Sequence, residues 1–335
     1  MQKIHGKYVV LILLLCIVII SLGKRDNRGV EQESADDFKI VAYYPSWKPE
    51  EIKKIQYDKV THINYAFAIP TSEGGLLPLD NEDTIIKIIE QAHKRDVKVL
   101  LSVGGGTYGN KKLDEVFTKA TETEEKSLKF TRKIKEVVDV YGFDGVDIDW
   151  EYLDKDTASQ NQYERLIERL NYILKKEDKL LTIAIPAGMT IKGQEMKSVG
   201  GYSNEVIEYV DWINVMVYGG GDGEMHTPMN YVISSSHYWL NIRKVNPAKV
   251  VLGIPFYGRP EFYTYEKLIE MDSNVPFMNE INGIHYNGIE LVKKKTRFAL
   301  DNLGGVMIWE VAQDSLDKKI SLLSAIYEEF VKFKY

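Results

Sequence analysis

The stretch 141–152 reads Tyr-Gly-Phe-Asp-Gly-Val-Asp-Ile-Asp-Trp-Glu-Tyr and has an acid at every second position from Asp147 to Glu151. β-branched and aromatic residues separate these acids. This period of two predicts a β-strand on which Asp147, Asp149 and Glu151 share one face. Neighbours on one face of a strand lie about 6.6 Å apart at Cα, so their carboxyl groups can approach within hydrogen-bonding reach.

Crowded carboxyl groups in a sheltered cavity cannot all be ionised at low cost. Repulsion and desolvation raise at least one pKa, so that one acid keeps its proton near neutral pH and can act as a general acid. Glu151 is the best candidate, because it comes last in the row. The C-terminal ends of the strands carry the chemistry in parallel α/β barrels.

Two other interpretations of the acidic row are weaker. On the solvated outer face of a strand, three like charges would repel one another without compensation. The one-three-five spacing also fits a calcium loop, but Tyr152 stands where such a loop needs glycine, and Ala158 where it needs a bidentate glutamate. We therefore interpret the row as part of an active site.

Composition limits the protein classes that need to be considered. The 335 residues are 44% hydrophobic and 27% charged, which fits one barrel-sized globular domain. A net charge of -6, without a basic cluster interleaved with aromatics, disfavours nucleic acid as a partner. Cys16 is the only cysteine, and the histidines are scattered without metal-ligand spacing. We expect no metal, no cofactor and a monomer.

The amino terminus has the pattern of an export signal over residues 1–23. Lys3 and Lys7 precede an apolar run at 8–20, and Ser21-Leu22-Gly23 supplies small residues for cleavage. The alternative is an uncleaved membrane anchor, although the run is short of the roughly 20 apolar residues that span a bilayer. We predict that residues 24–37 form a linker and that residues 38–335 form the folded domain. The export signal predicts that the protein is secreted, either to the extracellular space or to the periplasm.

The rest of the chain alternates apolar runs with helical patterns. Strands are predicted at 39–44, 59–68, 97–103, 146–151, 180–186, 211–218, 250–257 and 305–309. Helices are predicted at 82–95, 113–119, 124–141, 159–175, 228–242, 289–302 and 315–333. Eight such strands predict an α/β fold, a single-domain (β/α)8 TIM barrel. The connection at 258–287 is too short for a large inserted domain.

The row from Asp144 to Glu151, Asp-Gly-Val-Asp-Ile-Asp-Trp-Glu, resembles the D-x-x-D-x-D-x-E signature of family 18 glycoside hydrolases, the chitinases and endo-β-N-acetylglucosaminidases. Ser102-Val103-Gly104-Gly105 is similar to the S-x-G-G motif of that family, and Met216-Val217-Tyr218 to the start of its M-x-Y-D motif. Residues 252–259 and 304–310 also resemble family strands. The resemblance covers nearly the whole chain after the leader.

The resemblance implies a set of site residues. The catalytic residues would be Glu151, Asp149, Asp147 and Tyr218. The substrate-binding residues would be Tyr44, Phe67, Gly105, Tyr152, Met216, Tyr257, Arg259 and Trp309, with Trp309 as the floor of the subsite for the cleaved sugar. Ser102 and Asp144 would give structural support, with Ser102 bonded to a buried aspartate, either Asp144 or Asp147.

Aromatic residues are frequent at the predicted strand ends, which a barrel brings together at one mouth. Their faces can stack on the apolar C–H faces of sugar rings, although aromatics in strands often belong to the core. The residues are Tyr43, Tyr44, Trp47, Tyr65, Phe67, Trp150, Tyr152, Tyr218, Phe256, Tyr257 and Trp309.

The resemblance also implies a retaining, substrate-assisted mechanism. Glu151 would protonate the glycosidic oxygen while the 2-acetamido carbonyl attacks the anomeric carbon. Asp149 would orient the acetamido nitrogen, Tyr218 would hold its oxygen, and Asp147 would share a proton with Asp149. Glu310 is a formal alternative as an opposing nucleophile, but strand alternation predicts that it points away from the mouth.

Two positions depart from the family pattern. Gly219 stands where the M-x-Y-D motif ends in aspartate, and Asp222 is the nearest substitute. Gly106 stands where many chitinases have tryptophan. This difference favours a leaving group other than a chitin chain, such as an N-glycan core. The predicted substrate is chitin or a chito-oligosaccharide. The alternatives are an endo-β-N-acetylglucosaminidase acting on the chitobiose core of N-glycans, and a non-catalytic lectin that binds chitin or a glycan.

Overall fold

The computed structural model describes residues 37–151, 153, 157–219 and 226–335. The predicted leader, nearly all of the predicted linker, and the site candidates Tyr152 and Asp222 lie outside the described residues. The described chain from Phe38 to Tyr335 forms one compact unit.

Eight parallel strands form a closed barrel. They are β1 (Lys39–Pro45), β2 (His62–Ala68), β3 (Lys98–Gly104), β4 (Gly145–Asp149), β5 (Leu180–Pro186), β6 (Trp212–Met216), β7 (Val250–Pro255) and β8 (Gly305–Trp309). Each strand pairs with its sequence neighbours, and β8 closes on β1. The predicted (β/α)8 barrel is confirmed.

Helices connect the strands and cover the outside of the barrel. They are α1 (Glu82–His93), α2 (Leu113–Thr121), α3 (Glu124–Tyr141), α4 (Thr157–Leu174), α5 (Asn204–Tyr209), α6 (Met229–His237), α7 (Tyr265–Met271), α8 (Ile289–Asn302) and α9 (Leu322–Lys334). A short 3-10 helix, Pro49–Lys54, connects β1 to β2. A parallel strand pair requires such a crossover, which explains the alternation in the sequence.

Alternate residues of each strand belong to two different apolar cores. Outward side chains, such as Ile183 and Ile185 of β5, pack against the helices. Inward side chains form a smaller core inside the barrel: Val41, Tyr43, Ala66, Trp212, Val251 and Met307. Neighbouring residues of one strand therefore have different surroundings.

Helix α3 begins and ends where the sequence predicts. The Thr123 hydroxyl accepts the backbone N–H of Lys126 at 3.2 Å, and Gly142 ends the helix in the left-handed region at φ 77°. These are favourable N-cap and C-terminal residues, because they satisfy backbone groups that the helix leaves unpaired.

Two predicted boundaries are wrong in ways that affect the site or its surroundings. β4 ends at Asp149, so Glu151 lies in the turn two residues beyond the strand. The last helix begins at Leu322 rather than at 315, because the Asp314 carboxylate accepts the backbone N–H groups of Leu322 and Leu323 at 2.9 and 3.1 Å. These capping hydrogen bonds determine where the helix begins, and the pattern of apolar residues alone did not predict that position.

The connection from β7 to α8 forms a small elaboration and no large inserted domain, as predicted. It contains α7 and two short hairpins, Tyr257–Gly258 with Tyr263–Thr264 and Glu280–Ile281 with Ile284–His285. Within the described residues, no helix has the length and apolar character needed to cross a membrane.

Candidate active site

The carboxyl groups of the acidic row lie at the C-terminal mouth of the barrel. Asp149 and Glu151 line a cleft of about 700 Å³, and Asp147 is fully buried beneath it. Asp147 and Asp149 are inward residues of β4, and the turn after that strand directs Glu151 into the same cleft. The three acids are therefore ordered by depth, with Glu151 nearest to solvent.

Asp147 is held by four hydrogen bonds. Its Oδ2 accepts the hydroxyls of Tyr43 and Ser102, each at 2.7 Å. Its Oδ1 accepts the Thr182 hydroxyl at 2.6 Å and the Asn214 amide at 3.1 Å. These donors come from four different strands, so the carboxylate is fixed by the barrel itself.

Burial raises the pKa of all three carboxyl groups. The pKa of Asp149 is raised well above its ordinary value, because the negative charges of Glu151 and Asp147 add to the effect of burial. For Asp147 the hydrogen bonds counteract part of the rise due to burial. The row therefore holds protons more tightly than free carboxyl groups do.

Glycines after β3 allow the chain to pass close to the acids. Gly104 has φ 121°, and a Cβ there would lie 2.2 Å from the Asp149 carbonyl oxygen. The backbone N–H of Gly105 donates to that same oxygen at 2.8 Å. A Cβ on Gly106 would lie 3.1 Å from Oε1 of Glu151. Side chains at Gly104 and Gly106 would displace the backbone of Asp149 and the carboxyl group of Glu151, respectively.

One wall of the cleft is built from stacked aromatic rings. The Phe67 ring lies 5.6 Å from the Trp309 ring at an interplanar angle of 27°, and 6.2 Å from the Trp47 ring at 22°. Tyr43 meets Trp309 edge to face at 5.4 Å. Trp47 is 55% exposed, so the stack reaches the rim of the cleft.

Tyr218, Tyr257 and Arg259 form another part of the cleft lining. The rings of Tyr218 and Tyr257 are 6.4 Å apart and nearly perpendicular. The Tyr218 hydroxyl points toward the Met307 sulfur at 3.6 Å, which is a weak acceptor. The Arg259 guanidinium lies 5.5 Å from the ring of Tyr257. A polar group of a ligand can therefore accept a hydrogen bond from the Tyr218 hydroxyl in place of the Met307 sulfur.

Most of the predicted site residues meet at this cleft. Those that line it are Phe67, Asp149, Glu151, Met216, Tyr218, Tyr257, Arg259 and Trp309. Asp147 and Ser102 lie directly beneath and are bonded to each other, so the structure identifies Asp147 as the aspartate that Ser102 supports. Tyr152 was also predicted and lies outside the described residues.

Two predicted substrate contacts, Tyr44 and Gly105, are not among the residues that line the cleft. Tyr44 faces the outer core, where its ring packs 5.9 Å from that of Tyr65 and its hydroxyl donates to the Lys48 carbonyl. The alternation of β1 places Tyr43 in the barrel instead. Gly105 is buried behind Phe67, since a Cβ there would lie 2.9 Å from that ring. Gly105 therefore affects the site through the path of its backbone and does not line the cleft.

The remaining predicted acids have structural positions. Asp144 lies before the N-terminal end of β4 and accepts the Val99 N–H at 2.8 Å, with His93 at 2.8 Å and Lys98 at 3.2 Å. Glu310 is buried, and its carboxylate accepts the Ala312 N–H at 2.7 Å and the Lys48 ammonium at 3.2 Å. Glu310 thus points away from the mouth, as predicted.

Several site residues were missed at the sequence level. Thr182 and Asn214 donate hydrogen bonds to Asp147, and the Met307 sulfur lies next to the Tyr218 hydroxyl. Tyr202 also lines the cleft, and its hydroxyl donates to the Trp150 carbonyl oxygen, with 3.0 Å between the two oxygens. Thr182 and Asn214 are polar residues inside apolar strands, a signal that points to an inward-facing polar partner. Among the described residues, no group of three or more acidic, histidine or cysteine side chains is placed to hold a metal ion.

The acidic row at the mouth of a closed barrel agrees with a known family. The chain matches the model for glycosyl hydrolases family 18 over residues 39–314, which includes all eight strands. The chain belongs to glycosyl hydrolase family 18, and the resemblance seen in its motifs is confirmed.

Known proteins are similar to this chain in sequence, and a solved structure is also similar in fold. The chain is 26% identical to Chitinase A1 of Niallia circulans over 433 residues, covering 90% of this chain and 60% of that protein. It is 27% identical to a chitinase-like effector of Moniliophthora roreri over 271 residues, covering 73% and 63%. The chain thus spans little more than 60% of these two curated relatives. The GH18 chitinase ChiB from the chitin utilization locus of Flavobacterium johnsoniae has a TM-score of 0.78 at 28% identity, covering 89% of this chain and 95% of that chain.

Proposed function

We propose that the protein hydrolyses β-1,4 glycosidic bonds next to N-acetylglucosamine in chitin or chito-oligosaccharides, with retention of configuration. One observation carries this proposal. A buried row of three carboxyl groups with raised pKa values leads to Glu151 in a cleft that also contains Trp309 and Tyr218. Family membership and the chitinases among the relatives support the same substrate class.

Glu151 is the proton donor to the glycosidic oxygen. Its pKa is raised by burial, so it stays protonated to a higher pH than an exposed glutamate. It is the outermost acid of the row, and it lines the cleft where a sugar polymer would lie. General acid catalysis needs both properties, a retained proton and access to the leaving-group oxygen.

The nucleophile is the 2-acetamido group of the substrate. An ordinary retaining glycosidase sets a second carboxylate about 5 Å from the acid, across the sugar. Here Asp149 and Glu151 come from one strand and its turn, and Glu310 is bonded on the outer side. The row therefore approaches the sugar from one side, which suits attack by the substrate's own carbonyl oxygen.

Asp149 and Tyr218 are positioned to hold the acetamido group. Oδ1 of Asp149 is buried and has no hydrogen-bond partner among the described residues, so it can accept the acetamido N–H. The Tyr218 hydroxyl can donate to the carbonyl oxygen in place of its contact with sulfur. Both contacts strengthen as positive charge develops on the acetamido group, which lowers the barrier.

The proposed hydrolysis needs only the substrate, water and the residues of the site. The carbonyl oxygen bonds to the anomeric carbon as the glycosidic C–O bond breaks, and the leaving oxygen takes the Glu151 proton. An oxazolinium ion results. Water then attacks the anomeric carbon and returns a proton to Glu151, which opens the ring with the original configuration.

The first test compares Glu151→Gln with the wild type on a fluorogenic chitobioside. We expect loss of hydrolysis by at least about 100-fold, because removal of a general acid typically costs 10²–10⁴. Binding of chito-oligosaccharides should persist. Glu115→Gln, an exposed position on α2, is the matched control. Full activity of Glu151→Gln would refute the assignment.

A second candidate substrate is the chitobiose core of N-glycans. The observation that favours it is that Gly106 lines the cleft beside Glu151 and has no side chain, at a position where many chitinases have tryptophan. Mass spectrometry of products from chitohexaose and from a high-mannose glycoprotein separates the two substrates. Oligosaccharide binding without any product would instead indicate a lectin.

We also propose that the protein is exported, on the pattern of residues 1–23. Mass spectrometry of protein secreted by an expressing cell should find a mature chain that begins at Lys24. An intact leader in the membrane fraction would show that the segment acts as an anchor.

A further inference from the structure

Lys295 of α8 is completely buried, at 0% exposure. Its ammonium group donates to the Thr227 carbonyl oxygen at 2.5 Å, to the Thr227 hydroxyl at 2.9 Å and to the Asn287 side-chain oxygen at 2.6 Å. Three N–H donors thus meet three oxygen acceptors, all of them uncharged. This full set of contacts orients Thr227 and Asn287 from behind the barrel wall.

Thr227 carries the contact on to the end of β6. The strand ends at Met216, and the Val217 N–H turns back to the Val215 carbonyl at 2.9 Å. The Val217 carbonyl oxygen accepts the Thr227 hydroxyl at 2.9 Å. Val217 immediately precedes Tyr218, so Thr227 fixes the peptide unit that leads into the tyrosine of the cleft.

Asn287 makes the corresponding contact at the end of β7. Its side-chain amide donates to the Pro255 carbonyl oxygen at 3.0 Å, and Pro255 is the last residue of that strand. Tyr257 follows two residues later and packs edge to face against Tyr218. One buried ammonium group therefore connects the ends of two neighbouring strands whose tyrosines line the cleft.

A purely structural role is the competing explanation, and Lys54 shows what such a role looks like. Lys54 is also buried, but it pairs with the Glu266 carboxylate at 2.7 Å and with the Ala312 carbonyl at 2.7 Å. Among the described residues, Lys295 has only uncharged partners, and burial lowers its pKa well below the ordinary value. Burial of a cation whose described partners are all uncharged costs stability, so stability alone does not account for a lysine here.

We propose that Lys295, acting through Thr227, is a positioning residue that sets the orientation of the Tyr218 hydroxyl for hydrolysis. This inference rests on the proposed function, because it assumes that Tyr218 contacts the acetamido group of the substrate. Small displacements of such a group are costly in rate, even when they arise from residues outside the site.

The test is a double-mutant cycle on a chito-oligosaccharide. Thr227→Val keeps the side-chain shape and removes the hydroxyl, and Lys295→Met removes the ammonium group. Each is measured in the wild type and in Tyr218→Phe. We expect each to lower kcat about 10- to 100-fold with a smaller change in KM. In the Tyr218→Phe background the same changes should alter kcat less than about threefold, because they act through the missing hydroxyl.

Two controls separate positioning from stability. Thr227→Ser keeps the hydroxyl and should retain kcat within about threefold. Lys54→Met is the matched buried lysine, and its effect on kcat should be the same in both backgrounds. Thermal unfolding of every variant identifies any that fail to fold, and Thr227→Val keeps the test decisive if Lys295→Met is one of them.

The possible failures are distinguishable. Equal losses of kcat in the two backgrounds, or an unchanged kcat in folded Thr227→Val, would overturn the positioning role alone. An unchanged kcat in Tyr218→Phe, with Glu151→Gln inactive, would overturn both the role of Tyr218 and this inference. Hydrolysis by Glu151 would then still stand.

Discussion

The Tyr43 hydroxyl donates to the buried carboxylate of Asp147 at 2.7 Å. The bond crosses the interior of the barrel, from β1 to β4. It belongs to a set of four donors that hold Asp147 directly beneath Asp149. The outermost acid, Glu151, is thus supported from below by a carboxyl group that the barrel walls fix in place.

Tyr43 and its neighbour Tyr44 make a matched pair for a test of this support. Tyr43→Phe removes a donor to a buried carboxylate, which should lower stability by about 1–3 kcal/mol and kcat by about tenfold. Tyr44→Phe removes a bond on the outer side, to the Lys48 carbonyl. It should lower the melting temperature while leaving kcat and KM within about twofold. Equal effects on kcat would contradict the assigned faces of β1.

Asp149→Asn should raise stability and abolish activity. The folded-state pKa of Asp149 is raised by burial and by Glu151 and Asp147, so the folded protein binds more protons than the unfolded chain above the ordinary carboxyl range. Stability therefore falls as pH rises through that window, and asparagine removes the loss. We expect a gain of roughly 2–4 °C in Tm at pH 8 that shrinks to nothing below about pH 4.

Asp147→Asn is the control for that prediction and should have the opposite effect. The Asp147 oxygens accept four donors, and an amide group would place N–H against two of them. Loss of these bonds should lower Tm at neutral pH. A stabilised Asp147→Asn variant would show that burial, and not hydrogen bonding, dominates at this position.

Gly106→Ala tests how closely the backbone must approach the general acid. The added Cβ would lie 3.1 Å from Oε1 of Glu151, which is tight enough to displace the carboxyl group by a few tenths of an ångström. We expect kcat to fall about tenfold, because the position of the reacting group matters at that scale. Tm should change little. Steady-state kinetics with calorimetry checks both, and an unchanged kcat would contradict the need for space.

Trp309→Ala should weaken use of the substrate. The indole stacks on Phe67, meets Tyr43 edge to face and lines the cleft. Loss of such a surface should lower kcat/KM about 10- to 100-fold, as expected for removal of a large stacking contact. Trp47→Ala, at the exposed rim, should cost less on short oligosaccharides. The two variants compared on chitotriose and chitohexaose give the measurement.

Much of the site could be predicted because its chemistry is local in the sequence. Asp147, Asp149 and Glu151 stand two apart, and period two places Asp147 and Asp149 on one face of β4. The turn that follows β4 brings Glu151 into the same cleft. The S-x-G-G motif at 102–105 was also recognised from the sequence, and the structure shows that its glycines allow the backbone to approach β4. Residues such as Thr182 and Asn214 were missed, because each is a single polar position in an apolar strand. The role of these two residues is to donate hydrogen bonds to Asp147, which lies on a different strand, β4.

The sequence by itself determined the barrel and the order of the acids, because strand periodicity and the spacing of charges act over a few residues. Only the tertiary structure decided which tyrosine of the pair at 43 and 44 enters the barrel, since that depends on the registration of β1 against its neighbours. It also decided that Lys295 reaches Thr227, whose hydroxyl bonds the Val217 carbonyl just after β6. That Lys295–Thr227 contact joins residues 68 positions apart, and only the packing of neighbouring βα units brings them together.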